Sequence, residues 1–382
     1  MLSLVASVAM LAAQDQPPRL RTVLDNGAIV LVEPMPQERV VSVQLFASAR
    51  YVPETEATHG FRHLIEHLLA VGDGGLDKRL ETQACFLRAS TLRDAMQIEL
   101  TVGPTQLQLA LDTLAGFLHR PTFTQAQIDK ELRVMRDELA MRDDSLLLAS
   151  AAWDAAYGDR GLDPLGTFDS MYRATPEKLE ETYDRQFAPE GLVIAIAGPV
   201  DMDKATAMAS RILVPLSKSH FSVAQGDRVG KPGRSQADAF GECRGAIVPG
   251  FDTPQTAAAL SAALAIGSEL PGCFVIYTPT TQNGLVLVGR TDSTSGLGFY
   301  VDGLANGNSL YRRGQSLARE WVQRQLRTAS ADADIRGLLL CQGAANRPEL
   351  MIDQINAMSK EEFNAGIEAF KSGKTVIAVG TR

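Results

Sequence analysis

The chain has 382 residues, 45% of them hydrophobic and 21% charged, with a formal net charge of −8. That length exceeds what one hydrophobic core usually organises and predicts two domains. The acidic balance argues against nucleic acid, whose binding rests on Lys and Arg neutralising phosphates. No apolar run approaches the ~20 residues of a membrane-spanning helix, which argues against stable membrane insertion.

Residues 1–14 are signal-like: an apolar stretch over 2–13 leads into Gln14-Asp15-Gln16 and Pro17-Pro18. It resembles the hydrophobic part of a secretory signal and predicts a periplasmic or secreted location. No Lys or Arg precedes it, so a cytoplasmic location is the alternative. Residues 20–32 form two β-rich runs around Asn26-Gly27, a hairpin signal. A strand follows over 40–49 and a helix over 59–70. Met96, Ile98, Leu100 and Val102 on alternate positions predict a strand over 95–102.

Helices are expected over 104–119 and 125–143, the second opened by Thr124 with Gln127 three residues on, as a capping box requires. Further helices fit 146–157 and 176–187. The unbroken apolar run over 191–198 suits a strand covered on both faces. Residues 217–238 are rich in Ser, Gly, Lys and Arg without periodicity and are read as a linker between domains at 19–216 and 239–382. A helix at 174–179 followed by the strand 193–198 is echoed by a helix at 358–363 and a strand at 376–380, which predicts two related α/β units.

Histidine is scarce, five in all, yet His59, His63 and His67 fall within nine residues. On a helix, His63 and His67 lie one turn apart on one face and can reach one metal ion, with Glu66 on the flank of that stripe. Neutral imidazoles bind zinc, and a nearby carboxylate can take a proton from a metal-bound water. A third ligand must come from elsewhere. The capped helix offers Glu131 and Glu138, seven residues apart on one face, and spacing alone does not choose between them. His59 stands at the very start of the helix and suits a contact there. The bland alternative is a half-buried helix on which Glu66 pairs with Arg62. Cys85, Cys243, Cys273 and Cys341 include no C-x-x-C pair, so a thiolate zinc site is not expected. No G-x-S-x-G elbow is present.

The strand around Asn26-Gly27, the segment Thr58-His59-Gly60-Phe61-Arg62-His63-Leu64-Ile65-Glu66-His67, and Pro121-Thr122-Phe123 leading to Glu131 and Glu138 together resemble the pitrilysin/insulinase family of zinc metallopeptidases, the inverzincins. The resemblance covers about residues 20–216. It implies an α+β fold of two related α/β sandwich domains closing as a clamshell, the second shortened. It also implies a peptidase that hydrolyses extended peptides with one Zn2+ per chain. By that resemblance His63, His67 and Glu138 are the metal ligands, Glu66 the general base and Glu131 a supporting acid. The chain departs from the family in three places: a shorter connection near Gly72-Asp73-Gly74-Gly75, Arg88-Ala89 where Asn-Ala is common, and no Arg before Gly272-Cys273-Phe274-Val275. Residues 255–278 look too short for the usual helix and loop. A second homologous subunit, as a heterodimer or homodimer, is therefore expected to complete the cleft. An inactive metal-binding scaffold subunit is the alternative.

Overall fold

The computed structural model describes residues 20–52, 54–71, 75–224, 226–292, 296–304, 307–344 and 347–382. The signal-like segment 1–14 and residues 72–74 of the glycine-rich turn lie outside the described residues. In the first half come β1 (Leu20–Val23), β2 (Ile29–Pro34), β3 (Val41–Ser48), α1 (Phe61–Val71), α2 (Leu76–Glu81), β4 (Phe86–Thr91) and β5 (Ala95–Val102). Helices α3 (Leu107–Leu118), α4 (Gln125–Ala140), α5 (Asp144–Tyr157), α6 (Phe168–Met171) and α7 (Pro176–Gln186) follow, then β6 (Leu192–Gly198) and α8 (Met202–Leu213).

The second half opens with β7 (Arg234–Ala237), β8 (Glu242–Val248), α9 (Pro254–Glu269), β9 (Cys273–Tyr277) and β10 (Gly284–Arg290). It continues through α10 (Leu297–Gly303), α11 (Asn308–Gln325), α12 (Ala329–Cys341), α13 (Glu349–Ala357) and α14 (Lys360–Glu368) to β11 (Val376–Gly380).

The two sheets run in the orders β1-β2-β6-β3-β5-β4 and β7-β11-β8-β10-β9. With β1 set aside, the orders correspond strand for strand. Each sheet has one parallel pair, β2 with β6 and β11 with β7, among antiparallel ones. The helix-then-strand echo in the sequence is thus the trace of a repeated topology. The second unit has five strands against six. Residues 255–278 are not too short, since α9 and β9 occupy them.

Why β6 reads as an unbroken apolar run follows from its position. Leu192, Ile194 and Ile196 face the main first-half core, while Val193, Ala195 and Ala197 face Ala329, Ala333 and Leu338 of α12. The second sheet is covered in the same way, by α5: Leu148, Ala152 and Trp153 pack on Cys243, Leu285 and Val376. Each half therefore lends a helix to the other's sheet. The predicted linker is also bound to both halves. Its residues 234–237 form β7, and the buried Arg228 holds Asp94 at 2.7 and 3.0 Å while donating to Asn283 O and Thr280 Oγ1.

The helix expected over 125–143 ends at Ala140, because Asp143 is extended and caps the next helix by accepting from the Leu146 N–H at 2.9 Å.

The seam between α12 and the first sheet is polar at one end. Glu99 accepts from Ser330 Oγ at 2.5 Å and pairs with Arg88 at 2.8 Å, and Gln97 donates to Asp334 at 3.0 Å. Burial pushes the Asp334 carboxyl up to about 6, with Arg88 opposing and the Glu99 charge reinforcing the shift. A folded-state pKa above the unfolded value means that the native state holds the extra proton, so this group lowers stability as pH rises from about 4 through 6. Asp334→Asn is expected to raise stability at pH 8 by about 1–3 kcal/mol and to change little at pH 4. Urea unfolding at both pH values checks this, and an unchanged midpoint at pH 8 would count against it.

Candidate metal centre

Helix α1 is amphipathic in a way that decides the site. Phe61, Leu64 and Ile65 enter the first core, which leaves His63, Glu66 and His67 on another face, toward α4. In α4, Ile128, Leu132 and Met135 are buried and fix the rotation that turns Glu131 and Glu138 toward α1. Glu138 Oε2 lies 3.5 Å from His63 Nε2 and 3.1 Å from His67 Nε2. The ligand atoms of these three residues all lie within 4.8 Å of one another.

The far side of each imidazole is held as well. His63 Nδ1 is 3.1 Å from the Leu165 carbonyl, which as acceptor fixes the tautomer with Nε2 unprotonated. His67 Nδ1 faces Glu131 Oε2 at 3.5 Å, both atoms buried and otherwise without a hydrogen-bond partner. The rings meet edge to face, with centroids 4.8 Å apart.

The loop carrying Leu165 reaches α1 through a glycine crossing. A Cβ on Gly166 would stand 2.4 Å from Gly60 Cα, and both residues have positive φ, so neither position has room for a side chain. Ser170 Oγ donates to His59 O, and the His59 ring sits against Asp163 O, so His59 braces this crossing and lies outside the ligand group. Asp163 pairs with Arg142 at 2.8 Å. Burial works against the Asp163 charge, yet Arg142 and Arg93 hold its carboxyl below the usual range.

Glu66 does not pair with Arg62. Its Oε2 accepts from Thr91 Oγ1 at 2.7 Å, at the end of β4. Fully buried Arg62 donates instead to Glu54 at 3.1 Å and to the Leu92 carbonyl at 2.9 Å, tying α1 to the turn after β4. Thr91, Leu165 and the Arg62 clamp were not found by sequence reasoning. Except for Glu54, eight residues from Arg62, the partners lie 25 or more residues apart, with no local pattern to mark them.

Three carboxylates around two imidazoles make a negative site. Burial disfavours a charged His63, but the Glu138 hydrogen bond and the Glu66 and Glu138 charges overcome it and raise its pKa. The same hydrogen bond lowers that of Glu138. Zinc with tetrahedral ligands at about 2.0–2.2 Å separates those ligands by about 3.4 Å. Glu138 Oε2 stands 3.1 and 3.5 Å from the two imidazole nitrogens, and the three ligand atoms all lie within 4.8 Å of one another, so the donor set fits that ion in type, in charge and in these two spacings.

Residues 29–163 match the family model described as Insulinase (Peptidase family M16). That segment, which carries all five candidate residues, is of the M16 type, as its sequence resemblance implies. A protein named as an uncharacterized zinc protease from Mycobacterium leprae is 28% identical over 210 residues, 53% of this chain and 45% of the relative. A probable mitochondrial-processing peptidase subunit beta from Arabidopsis thaliana is 25% identical over 213 residues, 53% of this chain and 40% of the relative. The chain thus spans about half the length of the curated relatives it matches or somewhat less. Among solved structures, a protease from Helicobacter pylori superposes with a TM-score of 0.82 at 15% identity, over 95% of this chain and 99% of that one. A peptidase M16 inactive domain from Pseudomonas fluorescens gives 0.77 at 16% identity, over 96% and 98%. These likenesses identify the fold as the two-domain M16 peptidase fold.

Glu131→Gln is expected to weaken zinc binding about 10- to 100-fold, because the Gln amide holds His67 without supplying charge. His67→Ala should abolish stoichiometric binding. Competition against a chromophoric chelator measures both, and equal zinc affinity in Glu131→Gln and wild type would remove Glu131 from the site.

Proposed function

We propose that this chain is a zinc-dependent endopeptidase acting on extended, unfolded peptides, with one zinc ion held by His63, His67 and Glu138. The observation that carries this reading is the convergence of both Nε2 atoms on one Glu138 oxygen, with Glu66 one turn away on the same helix. The zinc-protease names of relatives similar to about half of this chain support it.

When bound by His63, His67 and Glu138, zinc would supply Lewis acidity toward a scissile carbonyl and toward the attacking water. Glu66 takes a proton from the attacking water and returns it to the leaving amine. The Thr91 hydroxyl occupies Glu66 Oε2, which orients the carboxylate and leaves Oε1 for that proton. Leu165 O and Glu131 hold the two imidazoles in register. Strand β4 is the edge of the first sheet and ends at Thr91, so an extended peptide added along it runs toward the metal ligands.

A second homologous chain, as a heterodimer or homodimer partner, is part of this reading. Two relatives are named as subunits, the Arabidopsis protein and the bovine cytochrome b-c1 complex subunit 1. The name of the Pseudomonas structure, an inactive domain, favours a second reading, a metal-binding scaffold without activity. A periplasmic or secreted location is proposed on the apolar stretch at residues 2–13.

Zinc-loaded wild type and Glu66→Gln, given a pool of unstructured peptides and followed by mass spectrometry, separate these readings. Wild type is expected to cleave, and Glu66→Gln to lose about 10²- to 10⁴-fold in rate with its zinc content unchanged. Wild type that binds zinc and cleaves nothing, alone or with a co-purified partner, would favour the scaffold.

A further inference from the structure

The loop from Gly161 to Gly166 brings the Leu165 carbonyl to His63 Nδ1. It belongs to no helix or strand, so its own bonds and its outer contacts decide its shape. At its centre Asp163 turns its side chain back into the loop. Oδ1 accepts from the Leu165 N–H at 3.0 Å, and Oδ2 accepts from Arg142 at 2.8 Å. The Asp163 carbonyl accepts from the Gly166 N–H at 2.9 Å. The peptides before and after Leu165 are thus both fixed by one residue. Because the second of them is planar, fixing the Gly166 N–H also fixes the direction of the Leu165 carbonyl.

Two arginines hold the loop from outside, and each belongs to the support of another residue of the centre. Arg142 lies four residues after Glu138, in the connection from α4 to α5. Arg93 lies two residues after Thr91, which bonds Glu66. Its guanidinium donates to the Gly161 and Leu162 carbonyls at 2.6 and 2.5 Å and rests over the Trp153 ring at 4.4 Å. Among the described residues Arg93 has no ion pair. Burial lowers its pKa to about 10, and the nearby Asp163 charge opposes that fall.

We infer that Asp163 is a positioning residue for the metal centre: it aims the Leu165 carbonyl at His63 and, through Arg142 and Arg93, keys that ligand to the elements that carry Glu138 and hold Glu66. The inference rests on the zinc reading of the centre. Its effect falls on His63 and spares His67, whose Nδ1 faces Glu131 on α4.

The test uses the full zinc-loaded chain with isotope-labelled histidine, read by proton–nitrogen NMR. In wild type, His63 and His67 are each expected to show an Nδ1–H resonance protected from solvent exchange. Glu131→Gln shifts the second and so tells the two apart. Asp163→Ala is expected to lose the protection at His63 alone and to weaken zinc binding about 10-fold, as the loss of an outer partner of a metal ligand does. Asp163→Asn keeps an acceptor for the Leu165 N–H but not the charge that Arg142 binds, and is expected to fall between Asp163→Ala and wild type. Arg142→Lys, which keeps a cation beside Asp163, should stay closer to wild type than Arg142→Met. His63 protection that persists in Asp163→Ala overturns the inference, as does zinc affinity equal to wild type. So does equal loss at His63 and His67 with a lowered urea midpoint, which is general loosening. If Asp163→Ala does not fold, Asp163→Asn is judged by the same outcomes. Wild type that binds no zinc brings down the zinc reading and the inference with it, whereas wild type that binds one ion beside an unaffected Asp163→Ala brings down the inference alone.

Discussion

Both sheets bury both faces, and each does so only with a helix from the other half. Helix α12 covers β3 and β6, and α5 covers β7, β8 and β11. A sheet in this situation can be apolar on both sides, as β6 is, but it cannot fold as an isolated unit without exposing one of them. The crossing helices thus make the halves interdependent. They also fix the metal centre, because α4, which carries Glu131 and Glu138, passes into α5 through residues 141–143. Docking α5 on the second sheet fixes where α4 ends. In that short connection Arg142 pairs with Asp163, two residues from the carbonyl that holds His63.

The electrostatics of the centre and of the α12 seam are opposite cases of one rule. Around His63 and His67, surplus carboxylate charge is concentrated where a cation can answer it, and the His63 pKa rises in response. At the seam, Glu99 and Asp334 share one exposed arginine, Arg88, and the carboxyl with the weaker claim is pushed toward neutrality. Clustered carboxylates mark a candidate metal centre in the first place and a stability cost in the second. What separates them is whether imidazole nitrogens converge on the same point.

The parts of the structure legible in the sequence are those written in local pattern. The alternation over 95–102 coincides with β5, the Thr124–Gln127 box with the start of α4, and the H-x-x-E-H run with the face of α1 that avoids the core. What failed depends on distance along the chain. Residues 217–238 look like a linker because β7 pairs in parallel with β11, about 140 residues on, and carries no apolar alternation of its own. Helix 146–157 could be seen, but nothing in its composition tells that its Leu148–Ala152–Trp153 face belongs to the other half's sheet. Thr91 and Leu165 escaped for the same reason, since a side chain's partner across a fold leaves no periodicity.

Arg88 shows how such a gap changes the meaning of a residue. By sequence it stands where a substrate-binding Asn is common in the family, which reads as altered substrate positioning. Strand parity gives it another role: Thr91 faces α1 and Glu66, so Arg88, an odd number of residues away, points to the opposite face and pairs with Glu99 there. The edge of β4 is left with Ala89 and Thr91 toward the metal ligands and its outer backbone groups unpaired within the sheet. On the proposed reading, an extended peptide would add to this edge through main-chain hydrogen bonds, which carry little side-chain information. Selectivity would then have to come from wherever the strand delivers its guest, and β4 ends at Thr91, which lines a hollow of about 240 Å3 between the halves. The helix exchange that makes the two sheets interdependent also builds that hollow, since α5 supplies one wall while docked on the second sheet.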